Sequence, residues 1–190
     1  MQKILIIGAT GSLAQYVIEA LRSLENMQLT LFSRSANRLS KKVSGDCEVI
    51  AGDATDYNEV KAVIAGKDIV YVNLAGDLEV MSKNIVRAMQ ETGVTRIIAI
   101  TSIGIYETPL QPVLKPYRAL ADTIETSGLD YTIIRPDWFT NADEIDYHIT
   151  QKPAQEIGGA VSRKSIAALI AFIAKNPETY LKENIGISKL

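Results

Sequence analysis

Short runs of β-branched and aliphatic residues alternate along the chain with longer stretches whose apolar positions recur every three or four residues. The short runs, at 3–7, 29–32, 48–51, 69–73, 96–101 and 130–135, have the length and make-up of buried strands. Between them Leu13, Val17, Leu21 and Leu24, and later Met81, Ile85, Ala88 and Met89, share one face of a helix. Gly93, and Gly128 after the helical stretch 117–126, stand where such helices end in a left-handed residue. Repetition of strand, helix and strand predicts an α/β fold, a doubly wound parallel sheet with crossover helices. The pattern changes after Pro136. Polar and acidic residues run from Asp137 to Asp146, short strands are expected near 147–150 and 160–161, and Ser162 caps a last helix that stops before Pro177. Segment 137–161 reads as a small substrate lid within a single domain spanning 1–190.

Composition narrows the partners. With 190 residues, 47% hydrophobic and 22% charged, the chain can bury one sizeable core. A formal net charge of −2 gives no electrostatic reason for a nucleic acid or an anionic membrane as partner. Cys47 is the only cysteine, which excludes an intramolecular disulfide and a cysteine metal cluster. The apolar run 4–7 meets Gly8 too soon for a signal peptide, so a cytoplasmic monomer or homodimer is expected.

The most specific local signal is Gly8-Ala9-Thr10-Gly11-Ser12-Leu13-Ala14, set between the first strand and the first amphipathic helix. Gly8 permits a tight turn, Gly11 removes a Cβ from the path of a diphosphate, and Ala14 replaces a third glycine where helix and sheet pack closely. Unpaired N–H groups in the first helical turn then face the anion, and the helix dipole favours it. This is the Rossmann-type arrangement for a dinucleotide. At the end of the second strand, where NAD sites place an acid, the sequence reads Ser33-Arg34-Ser35-Ala36-Asn37-Arg38. Arg34 can stack on adenine and pair with a 2'-phosphate, and Arg38 reaches the same group if the loop opens a helical turn, so NADP(H) is preferred over NAD(H). Asp53 closes the third strand as an adenine contact or a helix cap.

With this turn, the arginine pair, Gly52-Asp53-Ala54, Asn73-Leu74-Ala75-Gly76, Thr101-Ser102 and the run from Ser127 to Pro136 in register, the chain resembles the atypical short-chain dehydrogenase/reductases over almost its whole length. Within them it is similar to the NAD(P)H-binding group that includes NADPH-dependent flavin/biliverdin reductase and NmrA-like proteins. The resemblance implies that Gly8, Ala9, Thr10, Gly11, Ser12 and Leu13 hold the diphosphate, and Arg34 and Arg38, beside Ser33, the 2'-phosphate. It puts Asp53 and Ala54 by the adenine, Leu74, Ala75 and Gly76 by its ribose, and Thr101 and Ser102 toward the nicotinamide. Pro136, Trp138 and Phe139 close over that ring.

One departure shapes the chemistry. The superfamily's tyrosine-x-x-x-lysine pair is missing, since Tyr117 is followed four residues on by Ala121 and Tyr106 by Leu110. A flavin, a quinone or a similar conjugated acceptor suits such a site, because it accepts hydride readily and can take its proton from solvent. Ser102 is the leading polar candidate for a catalytic role. Tyr117 and Tyr106 are secondary candidates that could orient an acceptor, although a tyrosine is more often half-buried packing with its hydroxyl satisfied. Two other readings stay open: a non-catalytic NADP(H)-sensing regulator, and a nucleotide-sugar epimerase or dehydratase. His148 and the acidic group Asp143, Glu144 and Asp146 read as surface, Cys47 as a small buried apolar residue, and no metal is expected.

Overall fold

The computed structural model describes residues 1–190. Its strands are β1 (Gln2–Ile7), β2 (Met27–Ser33), β3 (Glu48–Ala51), β4 (Ile69–Val72), β5 (Arg96–Ile100), β6 (Asp130–Pro136), β7 (Phe139–Thr140), β8 (His148–Gln151), β9 (Val161–Ser162) and β10 (Glu183–Ser188). The helices are α1 (Ser12–Arg22), α2 (Lys41–Ser44), α3 (Tyr57–Ile64), α4 (Leu78–Thr92), α5 (Lys115–Glu125) and α6 (Arg163–Lys175), with 3-10 turns at Ala36–Arg38 and Pro112–Leu114. Eight strands form one sheet in the order β3-β2-β1-β4-β5-β6-β10-β8, parallel except for β8. The strand order reverses between β1 and β4, and in open α/β sheets the crevice at such a switch point collects ligands.

The alternation of side chains along β1 explains the two layers. Ile4 and Ile6 point into one core with α1 and α6, which lie side by side, while Leu5 and Ile7 point into a second with α3, α4 and α5. Burial on both faces is why these strands read as continuous apolar runs. Helix α4 ends at Gly93, with φ 73°, as the sequence predicts. No helix is long and apolar enough to cross a membrane.

The C-terminal third differs from expectation in two places. The strand expected near 147–150 forms as β8, but it is the antiparallel edge of the main sheet, not part of a lid. Between it and β6 lies β10, a strand that the sequence pattern does not predict. Only β9, paired in parallel with β7, stands apart as a two-stranded piece next to Trp138. The acidic loop is tied down: Lys164 pairs with Asp143, and Lys189 reaches Glu144 at 2.6 Å and Asp146 at 3.5 Å. His148 pairs with Ser188 across β8 and β10, and Cys47, half-buried against the α1 core, has its thiol pushed up by burial.

Strand β10 brings a buried polar network with it. Asn184, 5% exposed, donates to Tyr106 Oη and Glu125 Oε1, both at 2.7 Å, and accepts from Arg135 Nη1. Arg135, 2% exposed, also donates to Glu156 Oε1 at 2.5 Å, and Glu156 Oε2 accepts the Gly104 N–H at 3.1 Å. Burial works against the Glu125 carboxylate, yet its bonds from Asn184 and Lys152 hold it below the usual range. At the amino end of β5, Arg96 bonds the Ile97 and Asp130 carbonyls, both at 3.0 Å, and Thr132 Oγ1 at 2.8 Å; burial pulls its pKa down to about 10. Removing one partner of a buried charge leaves its desolvation unmet. Asn184→Ala is therefore expected to lower unfolding stability by about 2–3 kcal/mol, read as a shift of the urea midpoint at unchanged slope. A loss below about 0.5 kcal/mol would show that Arg135 does not depend on this contact.

Candidate functional site

One cleft of about 960 Å³ opens along the carboxyl ends of β1, β2, β4, β5 and β6. Its floor is the turn between β1 and α1. Gly8 has φ 88°, and a Cβ there would lie 2.0 Å from the Asn73 carbonyl oxygen; a Cβ on Gly11 would meet Asn73 Nδ2 at 2.8 Å. The glycines let the turn nest against the end of β4, with the Asn73 N–H donating to the Ile7 carbonyl at 3.0 Å. Thr10 Oγ1 lies 2.8 Å from Ser33 Oγ, which fastens the turn to the end of β2. Ala14 is fully buried between helix and sheet.

The N–H groups of Gly8 and Ala9 are already used, both donating to the Phe32 carbonyl, and that of Gly11 donates to Gly8. Those of Thr10, Ser12 and Leu13 have no partner within the protein, and the helix cap makes no side-chain bond. These amides, together with the cradle that a Cβ would fill, fit a diphosphate. Ala9 is thus buried behind the turn and does not line the cleft, and neither does Gly76; the other seventeen residues assigned to the cofactor all do.

At the end of the cleft beside β2, Arg34 and Arg38 are exposed, line the cleft and take part in no ion pair. Arg38 sits on the 3-10 turn that the sequence reading required of it. Asp53 is not a helix cap, because Asp56 caps α3 by accepting the Asn58 and Glu59 N–H groups at 2.8 and 3.1 Å. Instead Asp53 Oδ1 accepts from Thr55 N and Oγ1, both at 2.9 Å, and these bonds hold its carboxyl below the ordinary value.

At the other end Ser102 lines the cleft with its hydroxyl unpartnered, while Thr101, 5% exposed, closes the strand by donating to the Ile134 carbonyl. Tyr117, Pro136, Trp138 and Phe139 line the same end. Tyr106 does not: its hydroxyl is bound by Asn184 and Glu125, and burial and the Glu125 charge push its pKa up. It supports the turn from behind and cannot orient an acceptor. The turn from Ile103 to Glu107 forms the far wall, held by the Ile103 N–H on the Pro136 carbonyl at 3.0 Å and by Glu156.

Nothing in the linear order singles out Arg163, the first residue of α6. Because α6 packs beside α1, its guanidinium comes within 3.4 Å of Ser12 Oγ, bonds Thr140 O and Asn141 Oδ1, and lies 5.1 Å from the Phe139 ring. It joins the phosphate turn to β7.

The sequence profile of the NAD(P)H-binding family matches residues 8–177. Protein TIC 62, chloroplastic, from Pisum sativum is 31% identical over 109 residues, covering 51% of this chain and 20% of that protein, so the chain spans about a fifth of its length. A Rossmann-fold NAD(P)-binding family protein from Shigella flexneri superposes with a TM-score of 0.91 at 42% identity, over 100% of this chain and 94% of that one. A short-chain dehydrogenase/reductase from Veillonella parvula DSM 2008 in complex with NADP gives a TM-score of 0.90 at 22% identity, over 99% and 94% of the two chains. An anaerobillin reductase from Escherichia coli O157:H7 gives 0.82 at 21%, over 99% and 97%.

Arg163→Gln is expected to raise the Kd of NAD⁺ and NADP⁺ by the same factor, roughly fivefold or about 1 kcal/mol, because the diphosphate is common to both. Isothermal titration would read it, and a loss confined to NADP⁺ would contradict the placement beside the diphosphate. By sequence over most of its length, and with a Rossmann fold over all of it, the chain belongs to the NAD(P)H-binding family.

Proposed function

We propose that the protein is an NADPH-dependent oxidoreductase that reduces a flat conjugated acceptor, such as a flavin or a quinone, by direct hydride transfer. The observation that carries this reading is the continuity of the cleft, which runs from two unpaired arginines, past free amides, to an open apolar end beside Ser102. A dinucleotide fills the first two parts and leaves the third for an acceptor. Arg34 and Arg38 pair with the 2'-phosphate, and the amides of Thr10, Ser12 and Leu13 hold the diphosphate. The reduced nicotinamide, when bound, supplies the hydride.

The chain's own task is then placement and exclusion of water. Ser102 Oγ is free to donate a hydrogen bond to an acceptor carbonyl, and Tyr117 bounds the pocket beside it. Trp138 and Phe139, with the β7–β9 piece behind them, act as the lid. No lysine follows either tyrosine at the position where relatives use one, and the acceptor takes its proton from solvent. A neighbour solved with NADP, and another that is an anaerobillin reductase, agree with this reading.

Arg34→Glu is expected to raise the Kd for NADPH about thirtyfold, about 2 kcal/mol, and to change that for NADH far less. Equal losses would remove the 2'-phosphate assignment. Mixed with riboflavin or menadione, the protein is expected to oxidise NADPH, followed by loss of the reduced-nicotinamide absorbance. Tight NADPH binding with no acceptor reduced would instead support a nucleotide-sensing regulator.

A further inference from the structure

The two ends of the cleft differ in charge. All the cations lining it, Arg34 and Arg38, belong to the adenosine end, and Arg163 stands just outside the lining, against Ser12. Beyond Ser102 the ionisable groups that could carry charge are Glu107 and Asp137, both carboxylates. The rest of that end is apolar or uncharged, and two of its apolar groups are bare: Trp138 is 82% exposed and Val113 73%.

Of the positive side chains near this end, Arg135, Arg118 and Lys152 are committed elsewhere, whereas Lys115 and Arg163, the latter 5.1 Å from the Phe139 ring, pair with no carboxylate and stand outside the lining. Arg135 is buried against Glu156 and Asn184, and Arg118 is bound by Asp122 at 2.8 Å and by the Ile105 carbonyl. Lys152 pairs with Glu125 behind Tyr106. Lys115, next to Leu114, is exposed and does not line the cleft. An acceptor carrying a phosphate or carboxylate would therefore bring like charge against Glu107 and Asp137 with no cation in the lining of this end to receive it. Such juxtaposition acts as a specificity device, since rejection can be built from repulsion as well as from attraction. Apolar surface at Trp138 and Val113 rewards a flat uncharged ring.

We propose that the acceptor half of this cleft selects an uncharged planar conjugated molecule and discriminates against the same ring system bearing an anionic substituent. The proposal rests on the oxidoreductase reading above for the place of the acceptor, and it adds the acceptor's charge class. Riboflavin and FMN provide the test, because they share one ring system and differ by a phosphate. Trp138 is the only tryptophan and lies in the lining, so its fluorescence reports occupancy without turnover.

With the protein saturated in NADP⁺ at low ionic strength, riboflavin is expected to quench Trp138 with a Kd at least tenfold below that of FMN. Added salt should narrow the ratio, because exposed charges are screened. Glu107→Gln combined with Asp137→Asn should move the ratio toward unity. FMN binding as well as riboflavin, a ratio indifferent to both salt and the double substitution, or no quenching by either flavin would each overturn the proposal. Turnover separates the two claims: selective riboflavin binding without NADPH oxidation refutes the oxidoreductase reading and leaves the charge selection standing.

Discussion

The peptide unit of Gly8 lies against the carbonyl of Asn73 with room for a hydrogen and nothing larger, and the rest of the cleft depends on that contact. It brings the turn after β1 down onto the end of β4 at the point where the strand order reverses. From there α1 starts with its first N–H groups pointing into open space instead of into a cap. A helix end left without partners is costly unless water or a ligand satisfies it. An anion with several oxygens answers that need, and the dipole of α1 acts in the same direction.

The acceptor end is held differently, by polar groups taken out of water. Arg135, Glu156, Asn184, Glu125 and Tyr106 connect β6, β10 and α5 to the turn that forms the far wall. Buried ionic groups of this kind add little net stability over an apolar packing of the same shape. What they supply here is a fixed position for the turn at 103–107, and with it the place of Glu107. The end lined by Arg34 and Arg38 has no such frame, and both arginines are exposed.

The nucleotide half was legible in the sequence because its signals are local. Glycines, an apolar strand and an amphipathic helix follow one another within the first two dozen residues, and Arg34 and Arg38 lie directly after the next strand. The exceptions, Ala9 and Gly76, fall inside the right segments but do not line the cleft, a distinction that spacing does not carry. Strand β10 was missed although Asn184 to Ser188 alternates polar and apolar residues, because Gly186 and three polar residues depress its strand propensity. Its polar face is where Arg135 is buried, so a functional network and a weak local signal share one cause. Tyr106 is packing with its hydroxyl satisfied, as tyrosines more often are, but its partners, Glu125 and Asn184, arrive from 19 and 78 residues away and could not be named from the sequence. Arg163 reaches Ser12 across 151 residues, through the packing of α6 on α1.

All of this requires that the free amides of α1 and the cleft around them hold a pyridine dinucleotide. Isothermal titration of the folded protein with NADP⁺ tests it most directly. One equivalent bound, with affinity lost when the diphosphate is absent from the ligand, is the expected result. No heat from NADP⁺, NADPH or NAD⁺ at millimolar concentration would contradict it.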